Sequence, residues 1–456
     1  MISFALVTHQ HADDLIACGH DQPITVAHFL ADARQLAAAL PAGRHVLNVC
    51  TDRYRFAVGL AAALLVDKIS LLPPTLTPEM MRQVKSFAPD VFCLTDQAIS
   101  IALPQFAWAD GVTACAPARA GTQARYCDIP GIPASQTAAI MFTSGSTGLP
   151  VAHRKSWGEL VLSVRAEAAR LGLLDGRRHS IVATVPPQHL FGLESSVLLP
   201  LQSGAILSAA HPFYPADICS ALAAAAHPRM LVTTPVHLKV LLASGLDLPL
   251  ADLVLTATAP LPPQLALAAE TGLKAPLLEI YGSTETGQIA SRRTTTSSEW
   301  TLFPGVTLRT LAGRAWACGG HLAQAQALGD KLELLDAERF LLHGRSADLI
   351  NIAGKRSSLD YLNHQLNAVP GVIDGAFFMP DERDGDQVTR LTAFAVAPGL
   401  TMAPLLTALR QRIDAIFMPR PLVLLDSLPR NSTGKLPRSA LETLVRDHRR
   451  RTSHDR

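Results

Sequence analysis

Short apolar runs alternate with helix-length segments over the first half of the chain, from about residue 24 to residue 240. Two of these runs, HVLNVC and ISLLPP, flank the apolar segment 55–66, and a second helix-length segment at 77–87 precedes DVFCLTD. Further strand-like runs follow in SIVATV, AILSAA and RMLVTTP. This alternation is typical of β-α-β units, in which helices flank a parallel sheet. The pattern therefore predicts a large α/β N-terminal domain with parallel sheets.

The pattern of apolar positions changes after Gly344. DLINIAG and GAFFMP are typical of strands, and the segment 403–417 has one apolar helical face, formed by Leu405, Leu409, Ile413 and Ile416. The earlier polar stretch SRRTTTSSEW is expected to be a surface loop or a hairpin connection. We therefore expect a large domain over residues 1–344 and a small α+β domain over residues 345–456.

Composition and charge narrow the class of protein. The 456 residues are 48% hydrophobic, which allows a large core and two or three domains. A formal net charge of +2 argues against a general nucleic-acid binder. The seven cysteines are scattered without a C-x-x-C pair, which indicates a reduced compartment and no structural zinc site. The chain starts without a basic leader, and its longest apolar run is far below the ~20 residues that span a bilayer, so we expect a cytoplasmic protein without a membrane span.

A glycine-rich stretch, TSGSTGLPV at 143–151, follows the apolar run AAIMF. Its small hydroxyls and two glycines would let backbone N–H groups surround a phosphate, in a turn expected between a strand and a helix. Alone, such a turn is more often ordinary turn chemistry than a phosphate site. It is not a Walker A loop, because no Gly-Lys-Ser/Thr follows at the required spacing, and this argues against a P-loop NTPase.

Six further segments accompany this loop in a fixed order: PQHLFGLE, TATAPLP, EIYGSTETG, LGDKLELLD, HGRSADLINIAGKR and PRNSTGKLPR. Together they resemble the adenylate-forming superfamily of acyl-CoA and aryl-CoA synthetases, nonribosomal adenylation domains and luciferases, from about residue 24 to the end. HVLNVCTDRYRFAVGLAAALL and LLPP further resemble the compact ligases of aryl-polyene and xanthomonadin pigment clusters. Those ligases activate hydroxybenzoate-type acids for an acyl carrier protein.

The resemblance implies an activity and its cofactors. A carboxylic acid would be activated with ATP and Mg²⁺ to an acyl-adenylate, with release of pyrophosphate. The acyl group would then pass to the phosphopantetheine thiol of an acyl carrier protein or to coenzyme A, with the small domain mobile between the two steps. Two alternatives stay open at this point: a medium-chain fatty acid as substrate, and a catalytically decayed homologue that binds an acid or nucleotide and regulates or scaffolds.

The resemblance also implies which residues bind ATP. Tyr281 would stack on adenine, Thr284 would contact phosphate, and Glu285 would bind magnesium through a hard carboxylate oxygen. Asp330 and Arg345 would contact the ribose, with Arg345 also reaching phosphate. The full ATP-binding set is Thr143, Ser144, Gly145, Ser146, Thr147, Gly148, Ala257, Thr258, Ala259, Tyr281, Gly282, Ser283, Thr284, Asp330, Arg345 and Arg356.

The acid side of the site follows from the same resemblance. Lys435 would bridge the acid carboxylate and the α-phosphate, a contact whose loss typically costs ~3–4 kcal/mol of transition-state stabilisation. His189 would lie beside the substrate carboxyl, and the acid pocket would be formed by Phe191, Gly192, Ala257 and Gly282. Leu190 stands where amino-acid-activating relatives carry an Asp, so an ammonium group would be buried without a partner, and an acid without an amino group is expected.

Each of these assignments has an ordinary structural alternative. His189 is compatible with a buried histidine bonded to backbone, and Asp330 with a residue of a hairpin turn. Arg345 is compatible with a surface salt bridge, and Lys435 with a solvated loop. Without the other motifs, the pair Tyr281 and Glu285 would indicate only a strand-end aromatic beside a surface acid.

The chain departs from the family pattern at two positions. Val151 replaces a lysine that many relatives direct at the β- and γ-phosphates, so the loop would rely on backbone N–H groups, helped by Arg154 or Lys155. Ala347 replaces an acidic or lysine hinge residue, whereas Asp348 is retained. The C-terminal tail is basic, which favours either a solvated terminus or docking of an acidic carrier protein through Arg446, Arg449, Arg450 and Arg451.

Overall fold

Two compact units make up the chain. The first contains residues 1–309 and 317–326, and the second contains residues 310–316 and 327–456. The computed structural model describes residues 2–19, 22–74, 76, 78–111, 128–144, 150–311, 313–345, 349–352, 355–380, 390–413, 415–431 and 434–454. Among these residues, no helix is long and apolar enough to cross a membrane.

The first sheet of the first unit is mostly parallel, in the order β10-β9-β5-β4-β6-β7. Only β10 runs antiparallel to its neighbour β9. A separate pair, β1 and β8, is antiparallel. The elements up to this point are β1 (Ser3–Ala5), β2 (Leu15–Cys18), β3 (Pro23–Thr25), α1 (Val26–Ala39), β4 (His45–Asn48), α2 (Arg53–Leu65), β5 (Ile69–Leu72), α3 (Pro78–Phe87), β6 (Phe92–Thr95), β7 (Gln105–Ala107), α4 (Trp108–Gly111), β8 (Gly131–Pro133), β9 (Thr137–Ser144) and β10 (Pro150–Ser156).

Within the first unit, the second sheet runs in the order β17-β16-β15-β14-β13-β11-β12-β2-β3. Strands β15, β14, β13, β11, β12 and β2 are parallel, and the hairpins at both ends are antiparallel. Its elements are α5 (Trp157–Leu171), β11 (Ser180–Ala183), α6 (Leu190–Leu193), a π-helix (Glu194–Leu198), α7 (Leu199–Ser203), β12 (Ile206–Ser208), α8 (Pro215–Ala224), β13 (Arg229–Thr233), α9 (Pro235–Leu242), β14 (Leu253–Thr256), α10 (Pro263–Leu273), β15 (Leu277–Ser283), β16 (Gly287–Arg292) and β17 (Trp300–Leu302).

Most of the remaining strands form smaller sheets. Strands β18-β19-β20 make one sheet, β23 and β24 pair with each other, and β25-β26-β27 form a sheet that packs against α11 and α12. These elements are β18 (Val306–Leu311), β19 (Arg314–Gly319), β20 (Leu322–Ala327), β21 (Asp330–Leu334), β22 (Arg339–Arg345), β23 (Leu349–Ile352), β24 (Lys355–Ser358), α11 (Leu359–Asn367), β25 (Asp374–Phe378), β26 (Thr392–Val396), α12 (Met402–Arg410), a 3₁₀ helix (Ala415–Phe417), β27 (Leu422–Leu424) and α13 (Arg438–His454).

The predicted α/β alternation is confirmed. Each strand-like run of the sequence forms a strand, and the segments expected at 55–66 and 77–87 form α2 and α3. Helix α2 is buried on nearly every side because residues 56–65 are all apolar or glycine, and its first turn is capped by Asp52, which accepts from the N–H of Arg55. The polar stretch SRRTTTSSEW connects the antiparallel strands β16 and β17, so it is the expected hairpin connection.

Two expectations for the C-terminal part need correction. The helix expected over 403–417 ends at Arg410, after which the N–H groups of Arg412 and Ile413 both donate to the Leu409 carbonyl. The basic tail is helical in α13, and the choice between a solvated terminus and carrier-protein docking stays open. The division between the units lies N-terminal to residue 344, because β22 packs against β24 and α11 and so belongs to the second unit. The mobility of the small domain stays a prediction.

Candidate functional site

One edge of the second sheet collects most of the predicted site residues of the first unit. Strands β11, β13, β14 and β15 are parallel neighbours, so their carboxyl ends lie at the same edge of the sheet. Ala257–Ala259 directly follow β14, and Tyr281 and Gly282 lie near the end of β15. His189 lies in the segment after β11. Carboxyl ends of parallel strands are where ligands bind in open α/β sheets.

The turn at residues 283–287, called the Glu285 turn below, is shaped by its own side chains. Ser283 and Gly287 are paired across β15 and β16, which leaves Thr284, Glu285 and Thr286 in the turn. The Ser283 N–H donates to Thr286 Oγ1 at 3.0 Å, and the Thr286 N–H donates to Ser283 Oγ at 3.2 Å. Gly287 has φ of 68°, a conformation that favours glycine. The turn therefore presents Thr284 and Glu285 in a fixed backbone.

The Glu285 carboxylate is ionised at neutral pH. Burial works against ionisation, but hydrogen bonds from its own N–H and from Ser283 and the positive charge of Lys155 hold its pKa below the ordinary value. His153 Nε2 lies 3.7 Å from Glu285 Oε1, and burial lowers the pKa of His153, so this imidazole is neutral near pH 7. A half-exposed carboxylate that stays charged fits the predicted magnesium ligand, because Mg²⁺ binds hard anionic oxygens.

Two buried residues from elsewhere in the unit hold the Glu285 turn by its carbonyl groups. Lys155, on β10, donates from Nζ to the Glu285 carbonyl at 2.8 Å. His321, between β19 and β20, lies with Nε2 2.7 Å from the Thr286 carbonyl; since a carbonyl only accepts, Nε2 carries the proton. Both side chains are buried. Sequence reasoning assigned no role to His321 and a different role to Lys155.

The glycine-rich loop connects two strands, and not a strand to a helix as expected. Strand β9 pairs with β10 in a hairpin whose last partners are Thr143 with Val151 and Ser144 with Pro150. The first helix after the loop, α5, starts only at Trp157. A helix N-terminus is therefore not part of this loop. The predicted phosphate-binding residues Gly145, Ser146, Thr147 and Gly148 lie outside the described residues.

The residues proposed to replace the lysine absent at Val151 lie on opposite faces of β10. Side chains alternate along a strand, so Lys155 shares a face with Val151 and His153, whereas Arg154 is on the other face and is exposed. Lys155 is bonded to the Glu285 carbonyl. The structure thus gives Lys155 a partner in the neighbouring turn.

A network of buried polar groups lies next to the Glu285 turn. Ser163 donates to Glu194 at 2.9 Å, and Ser195 donates to Glu167 at 2.7 Å while accepting from Gln288 at 2.8 Å. Burial raises the pKa of Glu194 to about 7, with the charge of Lys155 opposing the shift, and it raises the pKa of Glu167 to about 8. Glu194 opens the π-helix, a distortion that is frequent at functional sites.

The segment before α6 is held by close backbone contacts. His189 is the residue that precedes α6; its N–H donates to the Pro186 carbonyl at 3.2 Å, and its carbonyl accepts from Leu193 at 2.7 Å. A Cβ at Gly192 would lie 1.9 Å from the Pro186 carbonyl oxygen, so this glycine is required by the backbone approach. The fully buried Arg53 donates to two backbone carbonyls at the end of β11, those of Ala183 and Val185.

The segment after β14 contains a strained residue. Thr258 has φ of 79°, which is rare for a β-branched side chain, and its hydroxyl is buried without a partner among the described residues. Three residues later, the Leu261 N–H donates to Glu279, whose carboxylate forms an ion pair with Arg292 at 2.7 Å. Strained backbone of this kind concentrates at ligand sites, and here a buried ion pair anchors it.

Two predicted residues of β15 have structural neighbours that the sequence did not indicate. Tyr281 is buried, and its ring lies 5.5 Å from that of Trp300. A Cβ at Gly282 would lie 2.2 Å from the Gly287 carbonyl oxygen, so the bulge between β15 and β16 requires glycine there. Adenine stacking by Tyr281 and a pocket role for Gly282 stay predictions, as do those of Phe191 and Ala257.

In the second unit, Asp330 and Arg345 are brought together. They are cross-strand partners in β21 and β22, and Asp330 is half-buried. Contact of these two residues with a ribose stays a prediction. Arg356 lies opposite Asn351 in β24 and β23.

Lys435 is exposed in a turn called the Lys435 turn below, whose described residues are 431, 434 and 435. Its N–H donates to Asn431 Oδ1, and its carbonyl accepts from the Asn431 N–H, both at 2.8 Å. Arg430 donates to the Gly434 carbonyl at 2.9 Å and holds both carboxylate oxygens of Asp374 at 2.7 Å. All these restraints come from within the second unit.

These features define an α/β enzyme-like fold with an ionised acid at the carboxyl edge of its second sheet. The model of the AMP-binding enzyme family matches residues 4–313, and the chain belongs to this family. It is 32% identical to a 4-coumarate–CoA ligase of Rhodobacter capsulatus over 62% of this chain and 69% of that protein. It is 24% identical to a 3-hydroxybenzoate–CoA/4-hydroxybenzoate–CoA ligase of Thauera aromatica over 67% of this chain and 66% of that protein.

Solved structures share the fold. The o-succinylbenzoate CoA synthetase of Bacillus subtilis, in complex with its acyl-adenylate intermediate, superposes with a TM-score of 0.79 at 18% identity, covering 94% of this chain and 95% of that one. The ATP-bound enzyme MatB of Rhodopseudomonas palustris gives a TM-score of 0.79 at 20% identity over 96% of both chains. At these identities the similarity confirms the predicted fold, an α/β large domain of the adenylate-forming type.

Proposed function

We propose that the chain is an ATP-dependent ligase that activates a carboxylic acid as an acyl-adenylate, releases pyrophosphate and passes the acyl group to a thiol. Membership of the AMP-binding family supports the first step. The observation that carries the proposal is the ionised Glu285 carboxylate. Its turn accepts a hydrogen bond from Lys155 on β10, the strand that follows the glycine-rich loop. An ionised carboxylate near the strand that follows a proposed phosphate-binding loop would bind the Mg²⁺ of Mg·ATP.

Each residue then has a defined task. The acid carboxylate attacks the α-phosphorus of ATP, a P–O bond forms to the acid, and the bond to pyrophosphate breaks. Glu285 would hold Mg²⁺, which supplies positive charge to the phosphates when bound. Thr284 would donate to a phosphate oxygen, and Lys435 would stabilise the charge that develops between carboxylate and α-phosphate. Backbone N–H groups of residues 143–148 would take the remaining phosphate oxygens.

The nucleoside would be held through its ribose and through its base. Asp330 would accept from the ribose hydroxyls and Arg345 would donate to ribose and phosphate, a pairing supported by their opposed positions in β21 and β22. Arg356 on β24 is assigned to the same nucleotide. Ala257, Thr258 and Ala259 would border the base, next to Tyr281.

We propose an aromatic acid of the hydroxybenzoate type as substrate, with a medium-chain fatty acid as the rival. Leu190 is buried at the position where an ammonium-binding Asp would be needed, which disfavours an amino acid. His189 and Phe191 at the start of α6 would contact the acid. The relatives named for coumarate and hydroxybenzoate support the aromatic class.

The acceptor thiol would belong to coenzyme A or to the phosphopantetheine of an acyl carrier protein. The relatives are named as CoA ligases, which supports coenzyme A. The pigment-cluster resemblance and the arginine-rich end of α13 support a carrier protein, because basic residues attract an acidic partner.

Acid-dependent release of pyrophosphate from Mg·ATP tests the proposal. The purified chain is assayed with hydroxybenzoates, cinnamates and short to medium fatty acids, followed by coenzyme A or carrier protein as acceptor. We expect release with aromatic acids. The Lys435→Ala variant should lose it, whereas Lys85→Ala, which changes an exposed lysine of α3, should retain it. Bound Mg·ATP without pyrophosphate release for any acid would favour the decayed homologue instead.

A further inference from the structure

Lys155 connects the two sheets of the first unit at the proposed ATP site. It lies on β10, which belongs to the first sheet and directly follows the glycine-rich loop. Its Nζ donates to the carbonyl of Glu285, which belongs to the turn between β15 and β16 of the second sheet. Residues 130 positions apart in sequence are thereby joined by one hydrogen bond from a buried side chain. His321 holds the adjacent carbonyl, that of Thr286, at 2.7 Å.

We propose that Lys155 and His321 are positioning residues that fix the backbone of the Glu285 turn, and with it the Glu285 carboxylate, relative to strand β10 for ATP-dependent adenylation. The inference rests on the proposed function, since it assumes that loop and turn bind the same nucleotide. Neither side chain needs to touch substrate. They act by restraining the backbone that carries Glu285.

The geometry favours this role over simple filling of the core. A buried ammonium is expensive to desolvate, and an apolar side chain would fill the same space at lower cost. Lys155 instead donates its hydrogen bond to a carbonyl of the Glu285 turn, and its charge also interacts with the carboxylates of Glu194, Glu159 and Glu285. His321 approaches the same turn from a different segment, so two independent donors converge on two successive carbonyls. Misplacing a reacting group by about 1 Å can cost about 10²-fold in rate, which makes such restraint valuable.

A matched control exists in the same unit. Lys68 is also a buried lysine whose Nζ donates to a backbone carbonyl, that of Gly43, at 2.6 Å. Replacing either lysine by Met removes one buried ammonium and one carbonyl bond. Only the Lys155→Met change affects the Glu285 turn, so the pair separates loss of positioning from general loss of stability.

Amide hydrogen exchange of the ligand-free protein tests the restraint directly. The Ser283 and Thr286 N–H groups are protected by hydrogen bonds inside the turn. We expect these amides to exchange about tenfold faster in Lys155→Met, while Lys68→Met leaves them unchanged. Equal exchange of the turn in Lys155→Met and wild type, or equal acceleration in both Met variants, overturns the proposal.

If Lys155→Met fails to fold, as judged by circular dichroism, His321 gives the second test. His321→Leu removes the donor to the Thr286 carbonyl, whereas His321→Gln retains an N–H donor. We expect faster exchange of the turn in the Leu variant and near-normal exchange in the Gln variant. The same exchange in both variants contradicts the positioning role.

Kinetics supply the second readout. Lys155→Met should lower kcat for pyrophosphate release about tenfold and raise the Mg²⁺ concentration for half-maximal rate, with the KM for the acid unchanged. Lys155→Arg, which retains a donor, should recover part of the rate. If the wild-type chain releases no pyrophosphate with any acid, the proposed function fails, but the exchange result still decides whether Lys155 restrains the turn.

Discussion

The Glu285 turn and the Lys435 turn are both short turns with a proposed role at the same phosphate, but they are held in opposite ways. The Glu285 turn receives donors from Lys155 and His321, which are buried and distant in sequence. Lys435 is exposed, and the residues that hold its turn, Asn431 and Arg430, lie within five residues of it.

The difference indicates which part of the site is fixed. Buried long-range bonds open only with the surrounding core, whereas exposed local bonds open with little loss of burial. The carboxylate that would bind Mg²⁺ is needed for as long as ATP is bound, so a fixed backbone is appropriate for Glu285. Lys435 would be needed only in the adenylation step, so a turn that is held by contacts within its own unit is sufficient for it.

The largest effect is expected for Lys435→Ala. Removing a charge that acts on the developing negative charge of the transition state should lower kcat for adenylation about 10²–10³-fold. Because the side chain is exposed, the melting temperature should stay unchanged. Acid-dependent pyrophosphate release and thermal unfolding measure both quantities. A loss of less than about threefold would remove Lys435 from the catalytic step.

Glu285→Gln should lower kcat about 10²-fold and abolish the response to Mg²⁺ near physiological concentration, because a neutral amide is a poor magnesium ligand. The fixed backbone should keep the turn in place, so the variant should unfold at the wild-type temperature. Titration of the rate with Mg²⁺ measures the effect. Glu338→Gln, which changes an exposed acid of the second unit, is the control. An unaltered Mg²⁺ dependence would assign the metal to another residue.

The sequence was sufficient for the sheets and for the order of the site segments, because strand alternation and turn residues are local signals. It was not sufficient for Lys155. Its partner is a backbone carbonyl 130 residues away, and a carbonyl acceptor leaves no trace in residue types. Gly192 and Gly282 were predicted as pocket residues, yet each also has a steric cause in a backbone approach that no local pattern reveals. Main-chain contacts that residue types do not record, both distant and local in sequence, therefore account for what was missed.

A smaller effect is expected when the Lys435 turn is loosened. Arg430→Ala removes the donor to the Gly434 carbonyl and the two bonds to Asp374. Loss of about 1.4 kcal/mol of restraint corresponds to a decrease of about tenfold in kcat. Amide exchange of the Glu285 turn should stay at the wild-type rate, since no described contact of Arg430 reaches it. Faster exchange there would contradict the independence of the two turns.

The smallest effect concerns the pH dependence of stability. Burial raises the pKa of Glu167 to about 8 and that of Glu194 to about 7, so both carboxyls bind protons in the folded state that the unfolded chain has already released. The free energy of unfolding should therefore fall as pH rises from about 5 to about 8 and level off above it. Glu167→Gln imitates the protonated acid and should make this fall shallower, leaving the part due to Glu194. At pH 8.5 we expect the Glu167→Gln variant to melt about 3 °C above the wild type, and at pH 5 we expect both to melt at the same temperature.

Because the Lys435 turn has no such buried acids among its described contacts, Glu167→Gln should leave amide exchange of the second unit unchanged at both pH values. Equal slopes of melting temperature against pH in variant and wild type would contradict the raised pKa of Glu167.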